Sequence, residues 1–160
     1  MKATYCIAIL IATMFGCGQI NDAKTEKPPQ VYLQTISMAL GKDQIGKVEI
    51  LQIPPRILVR AQVSPEALEK QYHNKLVIRD IAATAYRSKV VDIFKTVSVQ
   101  PRKDTADLRW GVIFYSRDDT RVGAVYFDQS GHYGAVDNIP VSFQGDFFHW
   151  LDTTFSDCFQ

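Results

Sequence analysis

Alternating apolar positions are clearest in residues 108–128, where they predict an antiparallel β-hairpin. Two runs of β-branched and aromatic residues are separated by a short polar loop at residues 116–120. Successive side chains of a strand point to opposite faces, so Val122, Ala124 and Tyr126 are expected to share one face of the second run. Neither face of the hairpin is clearly polar. We therefore expect both faces to be at least partly covered and the hairpin to lie at the centre of a sheet.

The chain before residue 64 predicts a helix followed by two strands. Residues 31–40 have apolar positions at helical spacing, and Gly41 would end the helix, although the same stretch is acceptable as a strand. Residues 48–53 are β-rich and stop at Pro54, which cannot donate a hydrogen bond to a neighbouring strand. Alternation in residues 57–63 predicts a further, half-buried strand.

Two helices are predicted in the middle of the chain. Ser64 is a typical N-cap and Pro65 suits the first turn, so a short helix begins there and ends near residues 72–74. A brief strand is expected at residues 76–78. Asp80 is placed to cap a second, amphipathic helix. The apolar stripe of that helix consists of Ala82, Tyr86, Val90, Ile93 and Val97.

The rest of the chain predicts a C-terminal β-meander and a last helix. Pro101 and the polar residues after it are expected to connect the second helix to the hairpin. Beyond the hairpin, residues 133–136 and 141–143 predict short strands, and a helix begins near Asp146. We expect the main core between the meander, this last helix and the helix at residues 82–97. The fold class is therefore α+β, an antiparallel β-sheet packed by two or three helices.

The N-terminus has the pattern of an export signal. Lys2 supplies one positive charge, an apolar run covers residues 5–15, and Gly16 and Cys17 follow. The run is shorter than the roughly 20 apolar residues that span a bilayer. Residues 14–17, Met-Phe-Gly-Cys, resemble the lipobox of bacterial lipoproteins, in which the signal is cut before a cysteine that becomes lipid-modified. The resemblance implies cleavage after Gly16 and lipidation of Cys17.

The same resemblance implies where the protein resides, and the length and polar residues of the chain indicate how it is divided. Gly18, rather than Asp, follows the cysteine, which implies an outer-membrane lipoprotein of the bacterial envelope that faces the periplasm in a Gram-negative host. Residues 1–16 are then the signal peptide, residues 17–30 the lipidated cysteine and a flexible tether, and residues 31–160 a single globular domain.

The cysteines leave one alternative open. A plain secretory signal would let Cys17 pair with Cys158 in an oxidising compartment. If Cys17 carries lipid instead, Cys158 has no disulfide partner, and we expect it to be a small buried residue between Phe155 and Phe159.

Charge excludes two classes of partner. The chain has 18 Lys and Arg and 17 Asp and Glu residues, and without Lys2 of the signal there are 17 of each. A neutral chain with no basic run has no electrostatic basis for binding nucleic acid. It also lacks a polybasic patch for an anionic membrane, so contact with the membrane is expected only through the lipid on Cys17.

No sequence motif indicates catalysis. His73, His132 and His149 are far apart and lack the spacing of metal ligands, and the acidic turns are expected to be solvated. Motifs for hydrolases, zinc proteases, phosphate binding and thiol redox chemistry are absent. We therefore predict no catalytic residues, no metal and no cofactor, and we do not expect an enzyme.

Binding residues are expected in the loops that join stiff strands. The candidates are Arg117, Asp118 and Asp119 in the hairpin loop, and His132 and Tyr133 in the following turn. The leading hypothesis is a non-enzymatic protein-binding domain, such as an inhibitor or immunity-type protein acting on a periplasmic enzyme. The alternatives are an assembly lipoprotein of an envelope complex, and a small-ligand binder or hydrolase with an unrecognised site.

Overall fold

A computed structural model describes residues 27–159, so the signal peptide, Cys17 and most of the predicted tether lie outside the described residues. Seven strands form one antiparallel sheet in the order β2-β1-β4-β5-β6-β7-β3. The strands are β1 (Ile45–Gln52), β2 (Asn74–Arg79), β3 (Ser98–Pro101), β4 (Leu108–Ser116), β5 (Arg121–Asp128), β6 (Tyr133–Val136) and β7 (Ile139–Gln144). With the helices described next, this confirms the α+β class.

The helices are divided between the two faces of the sheet. They are α1 (Pro29–Gly41), α2 (Pro65–Gln71), α3 (Tyr86–Thr96) and α4 (Phe147–Phe155). Apart from Pro29, the buried side chains of α1, α3 and α4 belong to one large hydrophobic cluster, and Leu68 of α2 belongs to a second, smaller cluster. Helices α1, α3 and α4 therefore cover one face, and α2 covers part of the other.

The larger core is rich in aromatic contacts between α3, α4 and the central strands. Phe94 of α3 packs against Phe147 of α4 with ring centroids 4.9 Å apart, and against Phe114 of β4 at 5.7 Å. Phe127 of β5 lies 5.3 Å from Phe147. These tilted and edge-to-face pairs join α3 and α4 to the centre of the sheet.

The central hairpin confirms the prediction with one local difference. Strands β4 and β5 lie in the middle of the sheet, and hydrophobic clusters cover both of their faces. The register shifts where Phe114 faces Gly123 and Tyr115 faces Arg121, so Val122 is an extra residue in β5. Val122 consequently packs with the larger cluster, whereas Ala124 and Tyr126 belong to the smaller one.

The predicted strand at residues 57–63 is wrong. These residues form no strand and run over the second face of the sheet between β1 and α2. Ile57 donates its amide to the carbonyl of Pro54 in a turn. Arg109 of β4 holds the carbonyl of Ile57, so residues 57–63 pass over β4. β4 already pairs with β1 on one side and with β5 on the other, so it has no free edge with which these residues could pair.

The segment between β2 and β4 also differs from the expected single helix. A short 3-10 helix, Ile81–Ala83, precedes α3, and Asp80 has φ 54° and no side-chain capping bond. The chain then enters the edge strand β3, which the sequence did not predict; of its residues only Pro101 was assigned, to the connection before the hairpin. Gln30 of α1 accepts a hydrogen bond from the Val99 amide, so a side chain satisfies part of this edge.

Cys158 is exposed, contrary to the predicted buried position. It lies in a 3-10 helix at residues 156–159 that follows α4 and contributes no buried residue. Phe159 turns inward and packs on Trp110 instead. None of the helices between residues 27 and 159 has the length and hydropathy needed to cross a bilayer.

Candidate functional site

The three predicted residues of the β4–β5 loop are exposed but held by internal contacts. Arg117 donates to the carboxylate of Asp43 at 2.7 Å and to the Asp43 carbonyl at 3.0 Å. Asp119 pairs with Lys47 at 2.8 Å, which keeps the pKa of Asp119 below its usual range. The Ser116 hydroxyl donates to Asp118 and lowers its pKa likewise. The loop is therefore a stiff, charged turn.

His132 is exposed in the turn between β5 and β6, and Tyr133, the first residue of β6, is exposed next to it. Tyr133 is 45% exposed, and the centroid of its ring lies 4.0 Å from the guanidinium carbon of Arg102. This turn lies at the opposite end of β5 from the first loop, and eight residues of strand span roughly 27 Å. The structure therefore does not bring the two predicted loops together into one site.

A groove lies beside the first loop, between the C-terminal half of α1 and the β4–β5 turn. Its volume is about 560 Å³. Met38 of α1 stands at the groove with 56% of its surface exposed, and Ala39 and Val122 provide further apolar surface. The charged residues along it are Lys42, Asp43, Arg117 and Asp118. An apolar floor with a charged margin of both signs is suited to a protein side chain or loop.

Asp43 adds an unsatisfied acceptor to this groove. One carboxylate oxygen bonds to Arg117, but the other, Oδ1, is buried and has no hydrogen-bond partner within residues 27–159. Buried acceptors without a donor are unfavourable. The Asp43 carboxylate is therefore tied to Arg117 through only one of its two oxygens.

A polar network on the second face connects α2 to the sheet. Tyr126 is fully buried and donates to Glu69, and Arg121 pairs with Glu69 at 2.8 Å. Arg121 also lies 3.4 Å from Asp137, whose carboxylate accepts the Ala124 amide at 3.0 Å. Burial raises the pKa of Tyr126, and Glu69 raises it further. The neutral, buried phenol of Tyr126 donates to the carboxylate of Glu69 and accepts from the guanidinium of Arg121, and it thereby ties α2 to β5.

A smaller, mostly apolar cavity of about 130 Å³ lies between α2 and strands β6 and β7. Val63, Leu108 and Ala135 line it, with Gln62 and Asn138 as polar groups. It contains none of the predicted site residues.

Two observations describe the polar groups at these places. Among residues 27–159 no cluster of three His, Cys, Asp or Glu side chains is arranged to hold a metal ion. The network of Glu69, Arg121 and Tyr126 is closed by its own hydrogen bonds and faces no pocket among those described. The groove beside α1 is open, apolar at its floor and charged at its margin.

No protein-family model matches the chain, and no curated protein or solved structure matches it significantly.

Sequence reasoning located one side of the groove and missed the other. Arg117 and Asp118 were candidates because they lie in a loop, whereas Met38 was not considered. Met38 does not belong to the apolar stripe of α1, which buries Leu33, Ile36 and Leu40. A large apolar residue outside the buried stripe of a helix was the available signal.

Proposed function

We propose that this protein is a lipid-anchored protein of the bacterial envelope that binds another protein and does not catalyse a reaction. The lipobox-like residues before Cys17 support the anchor. The groove beside α1 supports the binding role. In its most specific form, the proposal is an inhibitor or immunity-type protein that occludes a periplasmic enzyme.

The observation that carries the binding role is the exposure of Met38 in a groove with a charged margin. Methionine is flexible and polarisable, and it adapts to partner surfaces. The ion pair of Arg117 with Asp43 holds the opposite wall in place. A stiff loop and a flexible apolar side chain together suit a contact in which little ordering entropy is lost on binding.

The position of α1 suits a tethered binder. The proposed tether joins α1 at its N-terminal end, whereas Met38 and Lys42 lie at the other end of this 13-residue helix. A helix of that length spans about 20 Å. The groove is thus well separated from the attachment point, which leaves it accessible to a soluble partner.

The anchor is tested by replacing Cys17 with serine in the full chain. We expect the wild-type protein to incorporate labelled palmitate and to sediment with the membranes, because acyl chains add about 0.8 kcal/mol of membrane binding per buried methylene. Cys17→Ser should lose the label and move to the soluble periplasmic fraction. An unlabelled wild-type protein with a Cys17–Cys158 disulfide, seen in non-reducing peptide mapping, would contradict the anchor.

The groove is tested with Met38→Asp. A charge at the centre of an interface should weaken partner binding about tenfold or more, which is about 1.4 kcal/mol. Affinity purification of the full chain from detergent-solubilised envelopes should therefore recover much less partner. Val31→Asp is the matched control, since Val31 is 37% exposed in the first turn of the same helix. Equal recovery with both variants would argue against the groove.

A further inference from the structure

Leu58 projects from a loop, residues 53–63, that connects β1 to α2 over the second face of the sheet. With 95% of its surface accessible, it is the most exposed large apolar side chain of the described residues. Its neighbours Ile57 and Val59 are partly buried against the smaller hydrophobic cluster. The loop is therefore held on the sheet while one leucine points away from it, and moving that leucine from water into an apolar medium is favourable.

Both ends of this loop are fixed at the start of β4. The Ile53 amide donates to the carbonyl of Arg109 at 2.9 Å, and the Arg109 guanidinium donates to the carbonyl of Ile57 at 2.9 Å. The Val63 amide donates to the carboxylate of Asp107 at 2.9 Å. The loop therefore lies at the end of the sheet at which β4 begins and β1 ends.

Two exposed arginines flank Leu58, and the loop holds no acidic residue. Neither Arg56 nor Arg60 has an ion-pair partner in the described part of the chain. Residues 53–63 contain no Asp or Glu. This composition suits an anionic lipid surface, because a leucine enters the outer acyl region while arginine heads stay among the lipid phosphates.

The chain enters the domain at the same end of the sheet as the loop. Gln30 of α1 accepts a hydrogen bond from the Val99 amide, and β3 starts at the end of the sheet where β1 ends. β1 and β3 are five strand spacings apart, roughly 24 Å. From Cys17 to Pro29 the chain can span at most about 40 Å. An anchor on Cys17 therefore suffices to bring this end of the sheet to the membrane surface.

A protein partner suits this loop less well than a lipid surface. A stable protein interface buries about 800 Å² on each side. The loop offers one free apolar side chain, because Ile57 and Val59 already pack within the domain. A second copy that met this loop with its own would bring like charges together. A lipid surface needs no matching patch, and a weak contact is enough where an anchor already holds the domain beside it.

We propose that residues 56–60 are a membrane-contact loop, in which Leu58 enters the outer acyl region and Arg56 and Arg60 pair with lipid phosphates. The inference rests on the lipid anchor of the proposed function and adds a second membrane contact to it. This contact orients the domain, with the N-terminal end of α1 toward the membrane. The groove at Met38, at the C-terminal end of α1, then faces away from the membrane and toward a soluble partner.

The test uses the full lipidated chain, purified from bacterial membranes and placed in vesicles of phosphatidylethanolamine with about one quarter phosphatidylglycerol. One environment-sensitive fluorophore is attached through Ala61→Cys, an exposed position of the loop, or through Met38→Cys, both in a Cys158→Ser background. Lipids with a nitroxide near the headgroup quench a fluorophore that contacts the bilayer. We expect at least about fivefold more quenching at position 61 than at position 38, since interfacial contacts reach only a short depth.

Charge reversal tests the role of the arginines. Arg56→Glu with Arg60→Glu should reduce quenching at position 61 at least about threefold, because anionic lipids repel carboxylates. Arg79→Glu with Lys89→Glu is the matched control and should leave the quenching unchanged. Arg79 is exposed at the end of β2 farthest from the loop, and Lys89 is exposed on α3, which covers the opposite face of the sheet.

Leu58→Ser should reduce the quenching by a similar factor. Quenching that neither this variant nor the charge reversal lowers, or equal quenching at positions 61 and 38, would overturn the inference alone. The same holds for a lipidated chain without quenching at position 61, and for a blue-shifted fluorophore there that the nitroxide does not quench, since the loop would then be buried against protein, such as a second copy. A chain that carries no lipid on Cys17 and stays out of the vesicles would overturn the proposed anchor together with this inference.

Discussion

Asp137 illustrates how single residues of this protein combine conformation and charge. It sits in the β6–β7 turn with φ 50°, where asparagine and aspartate are tolerated better than other side chains. Its carboxylate accepts the Ala124 amide and lies near Arg121. Burial nevertheless raises the pKa of Asp137, outweighing the lowering by Arg121 and by that amide. The hydrogen bond is therefore stabilising, but the full negative charge is not.

Replacing Asp137 with asparagine separates these two effects. Asparagine keeps the acceptor and the left-handed conformation, so we expect the unfolding free energy near pH 7 to stay within about 1 kcal/mol of the wild type. Asp137→Ala loses both and should cost about 1–3 kcal/mol. Chemical denaturation of the three proteins gives the comparison.

The pH dependence has a definite sign. A carboxyl whose pKa is raised by folding binds more protons in the folded state, so its contribution to stability decreases as pH rises from its unfolded pKa of about 4 through the folded value. The stability of wild type relative to Asp137→Asn should therefore fall over that range. A difference that grows with pH would contradict the assignment.

Exposure of single residues was only partly predictable from the sequence. His132 and Tyr133 are exposed, as expected for a turn between strands. Cys158 is exposed although Phe155 and Phe159 flank it, because the 3-10 helix at the C-terminus turns Phe159 inward instead. The partners of Arg121 come from positions 69 and 137, and no local pattern signals such distant contacts.

Among the elements, β6 depends on one glycine. A Cβ atom at Gly134 would lie 1.8 Å from the carbonyl oxygen of Tyr126 on the neighbouring strand β5. Because that contact is with backbone, no side-chain rotation relieves it. The close pairing of β5 with β6 therefore requires glycine at this position.

Gly134→Ala should consequently destabilise the protein by roughly 3 kcal/mol or more, in the range of overpacked cores. Gly41→Ala is the control, since a Cβ there meets nothing within 4 Å at the end of α1. Its unfolding free energy should be unchanged or higher by up to about 1 kcal/mol. Thermal unfolding of both variants and of the wild type measures this difference. If Gly134→Ala were as stable as Gly41→Ala, β5 and β6 would not be as closely paired as described.

Elements with a local signal were predictable, and those decided by neighbours were not. The Ser64 hydroxyl accepts the Ala67 amide, so the predicted N-cap of α2 is confirmed. Residues 57–63 have the alternation of a strand, but the adjacent β4 has no free edge. β3 has four residues and ends in proline, and it exists because β7 provides a partner. Pairing of this kind depends on the whole fold rather than on propensity.

At the scale of the whole molecule, both faces of the sheet are covered by other elements. This covering explains why the sheet is stiff enough to hold its surface loops in place. α1, α3 and α4 close one side of the sheet, and α2 with residues 53–64 closes part of the other. The α+β class followed from the hydrophobic pattern because alternation and helical spacing are local. The groove did not, since it needs α1 and the β4–β5 turn placed side by side.

The measurement that tests the account most directly is the stoichiometry and effect of the complex. The full chain, carrying a C-terminal tag, would be purified from bacterial envelopes with its partner, and the partner's activity titrated with the purified chain. We predict one predominant soluble enzyme whose activity falls to a sharp end point at one molecule of this chain per enzyme, with Met38→Asp shifting the titration and Val31→Asp leaving it unchanged. Recovery of several membrane components without inhibition, or of no protein partner, would contradict the account.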